Sequence, residues 1–134
     1  MTIRNLLAYV VLTTFVLHQI NACITPKYTI EVLDSLPTGS PLLEVTCKSG
    51  DTDLGNHVLD RGQSFSWSFC VNIIRTTLYF CNMHWGTKQK SFDVFNAKKS
   101  GDCAGGLCVW VAFKDGIYVR TDERRSLEKI YDWQ

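Results

Sequence analysis

Several features that would announce a chemistry are missing from this sequence. It has no Asn-x-Ser/Thr triplet, so no N-linked glycan is expected. It has no Gly-x-Ser-x-Gly elbow to strain a nucleophilic serine. Charge is not in excess: 14 basic residues face 13 acidic ones. A balanced chain carries no electrostatic footprint for nucleic acid or for an anionic membrane surface. A comfortable membrane span is also lacking. The apolar run from Leu6 to Leu17 is twelve residues long, and a bilayer takes about 20. No later apolar segment reaches that length, so direct membrane insertion is not expected.

What is present at the N-terminus explains the short run. Arg4, an apolar core and the small residue Ala22 have the form of a secretory signal peptide. We expect residues 1–22 to be removed, leaving a single domain over residues 23–134 whose N-terminus is Cys23 or Ile24. Removal of Arg4 leaves 13 basic against 13 acidic residues. The six cysteines, Cys23, Cys47, Cys70, Cys81, Cys103 and Cys108, then enter an oxidising route that favours disulfides over metal. Six cysteines allow fifteen connectivities, and spacing does not choose among them.

The hydrophobic period past the signal is two. In Ser64–Phe69, SFSWSF, three aromatics alternate with three serines, placing Phe65, Trp67 and Phe69 on one strand face. TTLYFCNMHW, SFDVFN and CVWVAF are further strand candidates, rich in β-branched and aromatic residues. YTIEVL and LLEVTC flank the breaker-rich DSLPTGSP, and the Asp-Gly pair in KDGI marks a hairpin returning as GIYVR. SLEKIYDW is read as at most one or two helical turns. Seven or eight short strands with frequent turn signals predict an all-β, antiparallel β-sandwich or barrel.

The polar stretch Cys47–Leu59, CKSGDTDLGNHVL, is the best candidate for a metal loop. Counted from Asp51, however, position five is Gly55, position six is Asn56 and position twelve is Gly62, where a calcium loop wants an oxygen ligand, glycine and glutamate. Asp51, Asp53 and Asn56 suit a shaped turn instead. His18 leaves with the signal, and His57 and His84 make no zinc pattern. Ser64, Ser66 and Ser68 are solvent-side partners of the aromatic stripe, and no carboxylates stand out as an acid/base pair. Trp67, Trp85, Trp110 and Trp133 are read as packing. No catalytic residue, metal or cofactor is expected.

The stretches VTCKSGDTDLGNHVLDRGQSFSWSF, TTLYFCNMHW, SFDVF and CAGGLCVWVAFKDGIYV, in that order, closely resemble the plant self-incompatibility S-protein homologues, from about Tyr28 to Trp133. The resemblance implies a small, secreted, disulfide-stabilised β-sandwich. It also implies a signalling ligand read by a plasma-membrane receptor, with no catalysis of its own, and we expect it to act as a monomer. The alternative is a secreted enzyme or enzyme inhibitor in defence, which would need His57 or His84 clustered with carboxylates. Cys47, Cys81, Cys103 and Cys108 match the four cysteines recurrent in the family, whereas Cys23 and Cys70 depart from its pattern. Longer closed loops remove more unfolded-state entropy, so the expected pairs are Cys47–Cys108 and Cys81–Cys103. Cys70 has two options: a third bridge to Cys23, if cleavage spares it, or burial as a free thiol. The alternative set is Cys47–Cys103 with Cys81–Cys108. Lys88, Gln89 and Lys90, in GTKQKS, are expected at a hairpin tip as the receptor-binding loop.

Overall fold

A computed structural model of the chain describes residues 2–20, 23–103, 105–121 and 126–134. Helix α1 (Ile3–Ile20) is followed by nine strands: β1 (Lys27–Asp34), β2 (Leu43–Lys48), β3 (Asp53–Leu59), β4 (Ser64–Cys70), β5 (Leu78–Trp85), β6 (Lys88–Asn96), β7 (Leu107–Phe113), β8 (Gly116–Thr121) and β9 (Glu128–Tyr131). A 3-10 segment, Ala97–Cys103, links β6 to β7. Among the described residues no helix is long and apolar enough to cross a membrane.

The strands form two sheets, ordered β4-β1-β7-β8-β9 and β3-β2-β5-β6. Their facing sides carry the core. In β2 the alternation buries Leu43, Val45 and Cys47, and in β4 it turns Phe65, Trp67 and Phe69 inward while the serines stay exposed. Tyr79, Met83, Phe92, Val94 and Phe95 meet them from the second sheet, with Ile30, Val32, Trp110 and Ile117 opposite. Strand β7, at the centre of the five-stranded sheet, is buried on both faces from Cys108 to Ala112.

The sandwich is as the periodicity predicts, with two additions. Strand β1 runs parallel to β7, while among the described residues every other pairing is antiparallel. The segment SLEKIYDW, expected as a short helix, is instead strand β9, whose backbone pairs with the otherwise open edge of β8. Gly116 makes this possible, since a Cβ there would run into the Tyr131 carbonyl. Beyond β9 the chain crosses to the other sheet, where the backbones of Gln134 and Gln89 exchange two hydrogen bonds of 2.9 Å.

The disulfides correct two of the expected pairs and contain the third, Cys23–Cys70. Cys47 bonds to Cys81, Cys103 to Cys108 and Cys23 to Cys70. Neither Cys47–Cys108 nor Cys81–Cys103 forms. Loop entropy favours long closed loops, but native geometry decides. Strands β2 and β5 are neighbours in register, so Cys47 stands directly opposite Cys81 with 4.1 Å between Cα atoms. Cys108 lies in the other sheet. Gly105 and Gly106, at φ of +94° and +88°, turn the chain back so that Cys103 reaches it.

Non-reduced peptide mapping of the folded protein should therefore recover Cys47 joined to Cys81. Opening that bridge, which spans 34 residues, should cost about 4 kcal/mol by loop entropy, an upper figure. Opening Cys103–Cys108, which spans 5 residues, should cost about 2 kcal/mol on the same basis. A peptide joining Cys47 to Cys108 would refute the arrangement.

Candidate recognition surface

The polar stretch after Cys47 divides between a turn and a strand. Only Ser49–Thr52 turns, closed by the Ser49 amide on the Thr52 carbonyl at 2.8 Å. Asp53 to Asn56, expected within the turn, lie in β3. The carboxylates are used locally. Asp51 accepts from the Ser49 hydroxyl at 3.2 Å, Asp53 from the Gly55 amide at 2.8 Å, and the Asn56 side chain from Thr46 at 3.0 Å. Among the described residues no three His, Cys, Asp or Glu side chains gather as a metal site.

The two histidines are kept apart. His57 is opposite Val45 and faces inward, its ring stacked 3.6 Å from that of Phe65 and one ring nitrogen 2.8 Å from the Leu54 carbonyl. His84 is exposed on the outer face, in register with Glu44 and Gln89. The histidine–carboxylate cluster required by an enzyme reading is not assembled from them. The four tryptophans pack: Trp110 donates its indole N–H to the Val94 carbonyl and Trp133 to that of Phe113, while Trp67 stacks on Phe65 and Trp85 meets Trp133 at a tilt.

Lys88, Gln89 and Lys90 are not at a hairpin tip. The turn is the two-residue Gly86–Thr87, and Lys88 already pairs with Trp85 in β6. The Lys88 ammonium lies 5.6 Å from the Trp85 ring centre and that of Lys90 lies 5.3 Å from the Tyr131 ring. Gln89 is held through its backbone by Gln134. The turn was shorter than the polar composition suggested because β6 needs those residues to complete its ladder.

Loops collect at two ends. At one end the connections β1–β2, β3–β4, β5–β6 and β7–β8 surround a groove of about 550 Å³ that includes Pro37, Arg61, Lys88, Phe113 and Lys114. Beneath it Asp34 is buried, only 2% exposed, with its carboxylate accepting the Leu36 amide at 2.8 Å. Arg61 donates to the Leu36 carbonyl at 2.7 Å, which ties the β1–β2 loop to the β3–β4 corner. Burial raises the Asp34 pKa above its ordinary 3.8; the Leu36 amide opposes, Asp60 adds repulsion and Arg61 draws it back. Nearby, the Tyr118 hydroxyl donates to Asp115 at 2.7 Å, a bond that raises the phenol pKa.

At the other end a groove of about 590 Å³ lies between the β2–β3 turn and the β4–β5 connection, residues 71–77. That connection carried no functional expectation in the sequence. Its signal was present: two β-branched residues, Ile73 and Ile74, sit between strands where turn formers are expected.

The result is a two-sheet β-sandwich tied by three disulfides, with short hydrogen-bonded loops at each end. The model of the plant self-incompatibility protein S1 family matches residues 29–133, and the chain belongs to that family. S-protein homolog 24 of Arabidopsis thaliana is 40% identical over 94 residues, 69% of this chain and 61% of that protein. S-protein homolog 2 of the same plant is 36% identical over 113 residues, 81% and 70% of the two chains. The chain thus spans somewhat under two thirds of the first relative. A solved structure of a self-incompatibility protein homologue, described as from a widespread family of small, highly stable, secreted plant proteins, superposes with a TM-score of 0.65. It is 19% identical and covers 83% of this chain and 97% of its own.

Asp34→Asn tests the buried carboxyl. Asparagine keeps an oxygen for the Leu36 amide and removes the buried charge. A raised folded pKa means that the native state holds the proton more tightly than the unfolded chain. The group therefore stabilises most below 3.8, and its contribution falls as pH rises through the window above that value. The variant should match or exceed the parent in denaturant midpoint at pH 7 and lose this part of the pH dependence. A loss above about 1 kcal/mol at pH 7 would mean that the charge is held by attraction to Arg61.

Proposed function

We propose that this protein is an extracellular plant ligand that acts by docking onto a receptor protein at the plasma membrane, as a monomer and without catalysis. The supporting observation is the frame itself: three disulfides and paired sheets hold short, internally bonded loops in fixed shapes. Recognition by shape needs such loops on a rigid support. The self-incompatibility family supports the same class of activity. His57, committed to the Phe65 ring and the Leu54 carbonyl, offers no support to the enzyme alternative.

Export is part of the proposal. A cut after Ala22 leaves Cys23 at the new N-terminus, able to keep its bond to Cys70. Mass spectrometry of the secreted product should begin at Cys23. A product starting at Ile24 would lack that bridge, and one retaining Met1 would sink the export step.

The docking reading is tested with labelled mature protein and right-side-out plasma-membrane vesicles from plant tissues. Saturable binding, competed by unlabelled protein and abolished by protease treatment of the vesicles, is expected. Only non-saturable adsorption would refute it.

A further inference from the structure

The β4–β5 connection departs from ordinary turn chemistry. Asn72 to Arg75 form a β-turn, with the Arg75 amide donating to the Asn72 carbonyl at 3.1 Å. The two central positions of such a turn favour Gly, Pro, Asn, Asp or Ser. Here they hold Ile73 and Ile74, which are 87% and 76% exposed. These side chains therefore serve neither the turn nor the core. Arg75 follows at φ +55°, the one described non-glycine residue with positive φ, and makes no ion pair with any described residue.

The turn is built to hold this arrangement. The Asn72 side chain accepts the Thr76 amide at 2.7 Å and donates to the Thr76 hydroxyl at 2.8 Å, and the Asn72 amide donates to the Thr77 hydroxyl at 2.9 Å. At its base the Val71 amide donates to the Pro26 carbonyl at 3.0 Å, the Thr25 hydroxyl donates to the Val71 carbonyl, and Cys70 is bonded to Cys23. Two solvated isoleucines are thus displayed on a preorganised support. That lowers the ordering entropy a partner must overcome.

We infer that this tip, Ile73–Ile74–Arg75, is the anchor by which the protein docks, and that its partner is a protein presenting an apolar pocket with a carboxylate at its rim. The inference rests on the receptor reading above and names the surface that carries it. The isoleucines supply apolar area to be desolvated in the pocket, and the unpaired guanidinium selects the carboxylate. Beside the tip, the 590 Å³ groove continues the surface with Thr52, Asn72, Thr76, Leu78 and Phe80. Its hydrogen-bonding walls and the Asp51 carboxylate suit a shaped protein surface. A lipid layer would cover these groups without pairing them.

The experiment compares four forms of the mature protein in the vesicle assay: parent, Ile73→Ser/Ile74→Ser, Ile73→Val/Ile74→Val and Arg75→Asn. Asparagine tolerates the left-handed φ, so the last variant removes charge without adding strain. Thermal unfolding serves as the control, and all four should melt alike because the tip is exposed. The double serine variant should bind at least about tenfold more weakly, the valine variant close to the parent, and Arg75→Asn more weakly with a smaller salt dependence. If the parent binds protease-sensitive sites and the serine variant binds equally, the tip assignment is overturned and the receptor reading survives. If the parent shows no saturable, protease-sensitive binding, both fall. Equal binding to protein-free vesicles of the extracted lipids would make the tip a lipid anchor. Sedimentation showing that the parent pairs through Ile73 and Ile74 would make the occupant a second copy. Either result overturns the inference.

Discussion

The parallel pairing of β1 with β7 holds the five-stranded sheet together. Without it, β4 and β1 would form one ribbon and β7, β8 and β9 another, neither with a face broad enough to cover the second sheet. The ladder runs from Thr29 opposite Leu107 to Asp34 opposite Ala112. The Gly106 carbonyl extends it, accepting the Thr29 amide at 2.7 Å. These partners lie far apart in sequence, so much chain entropy is lost before the contact returns any energy. Burial of Ile30, Val32, Cys108 and Trp110 on the inner face of these two strands offsets that loss.

The other devices guard the sheet margins. Strand β9 covers β8, and Gln134 then covers part of β6, so one chain end occupies an edge in each sheet. On the opposite side the β3–β4 corner joins the two remaining edges, with Arg61 fastening it to the β1–β2 loop. Edge strand β4 presents Ser64, Ser66 and Ser68 to solvent, a polar face that discourages stacking by another apolar surface. Disulfides reinforce three separate places: the entry to β1, the centre of the four-stranded sheet and the entry to β7.

A frame closed in this way makes the two ends chemically independent. At one end three of the cations are engaged: Arg61 bonds a carbonyl, while Lys88 and Lys90 lie over aromatic rings. The other end carries Arg75, which has no ion pair among the described residues, and the exposed side chains of Ile73 and Ile74. Groups already engaged within the fold have less interaction energy to offer a partner than groups left solvated on a stiff support.

The local pattern was legible in the sequence wherever its cause was local. The alternation in SFSWSF appears in β4 residue for residue, because successive side chains of a strand point to opposite faces whatever the strand pairs with. The motifs from VTCKSGDTDLG to CAGGLCVWVAF likewise marked the family, since order and spacing survive without coordinates. The pairing of Cys47, Cys81, Cys103 and Cys108 was not legible, because register between β2 and β5 sets Cys47 opposite Cys81 and no loop-entropy rule contains that register. Lys88 and Lys90 lie in strand β6 and Glu128–Tyr131 in strand β9, and neither placement was legible, for a related reason. Whether a polar segment forms a turn, a helix or a strand depends on whether an unpaired edge lies beside it. The sequence alone determined the strand period, the expected export signal and the family. The partner of each strand, of each cysteine and of the chain's last residues was decided only by tertiary structure, because these are contacts between distant segments that compete for the same backbone groups.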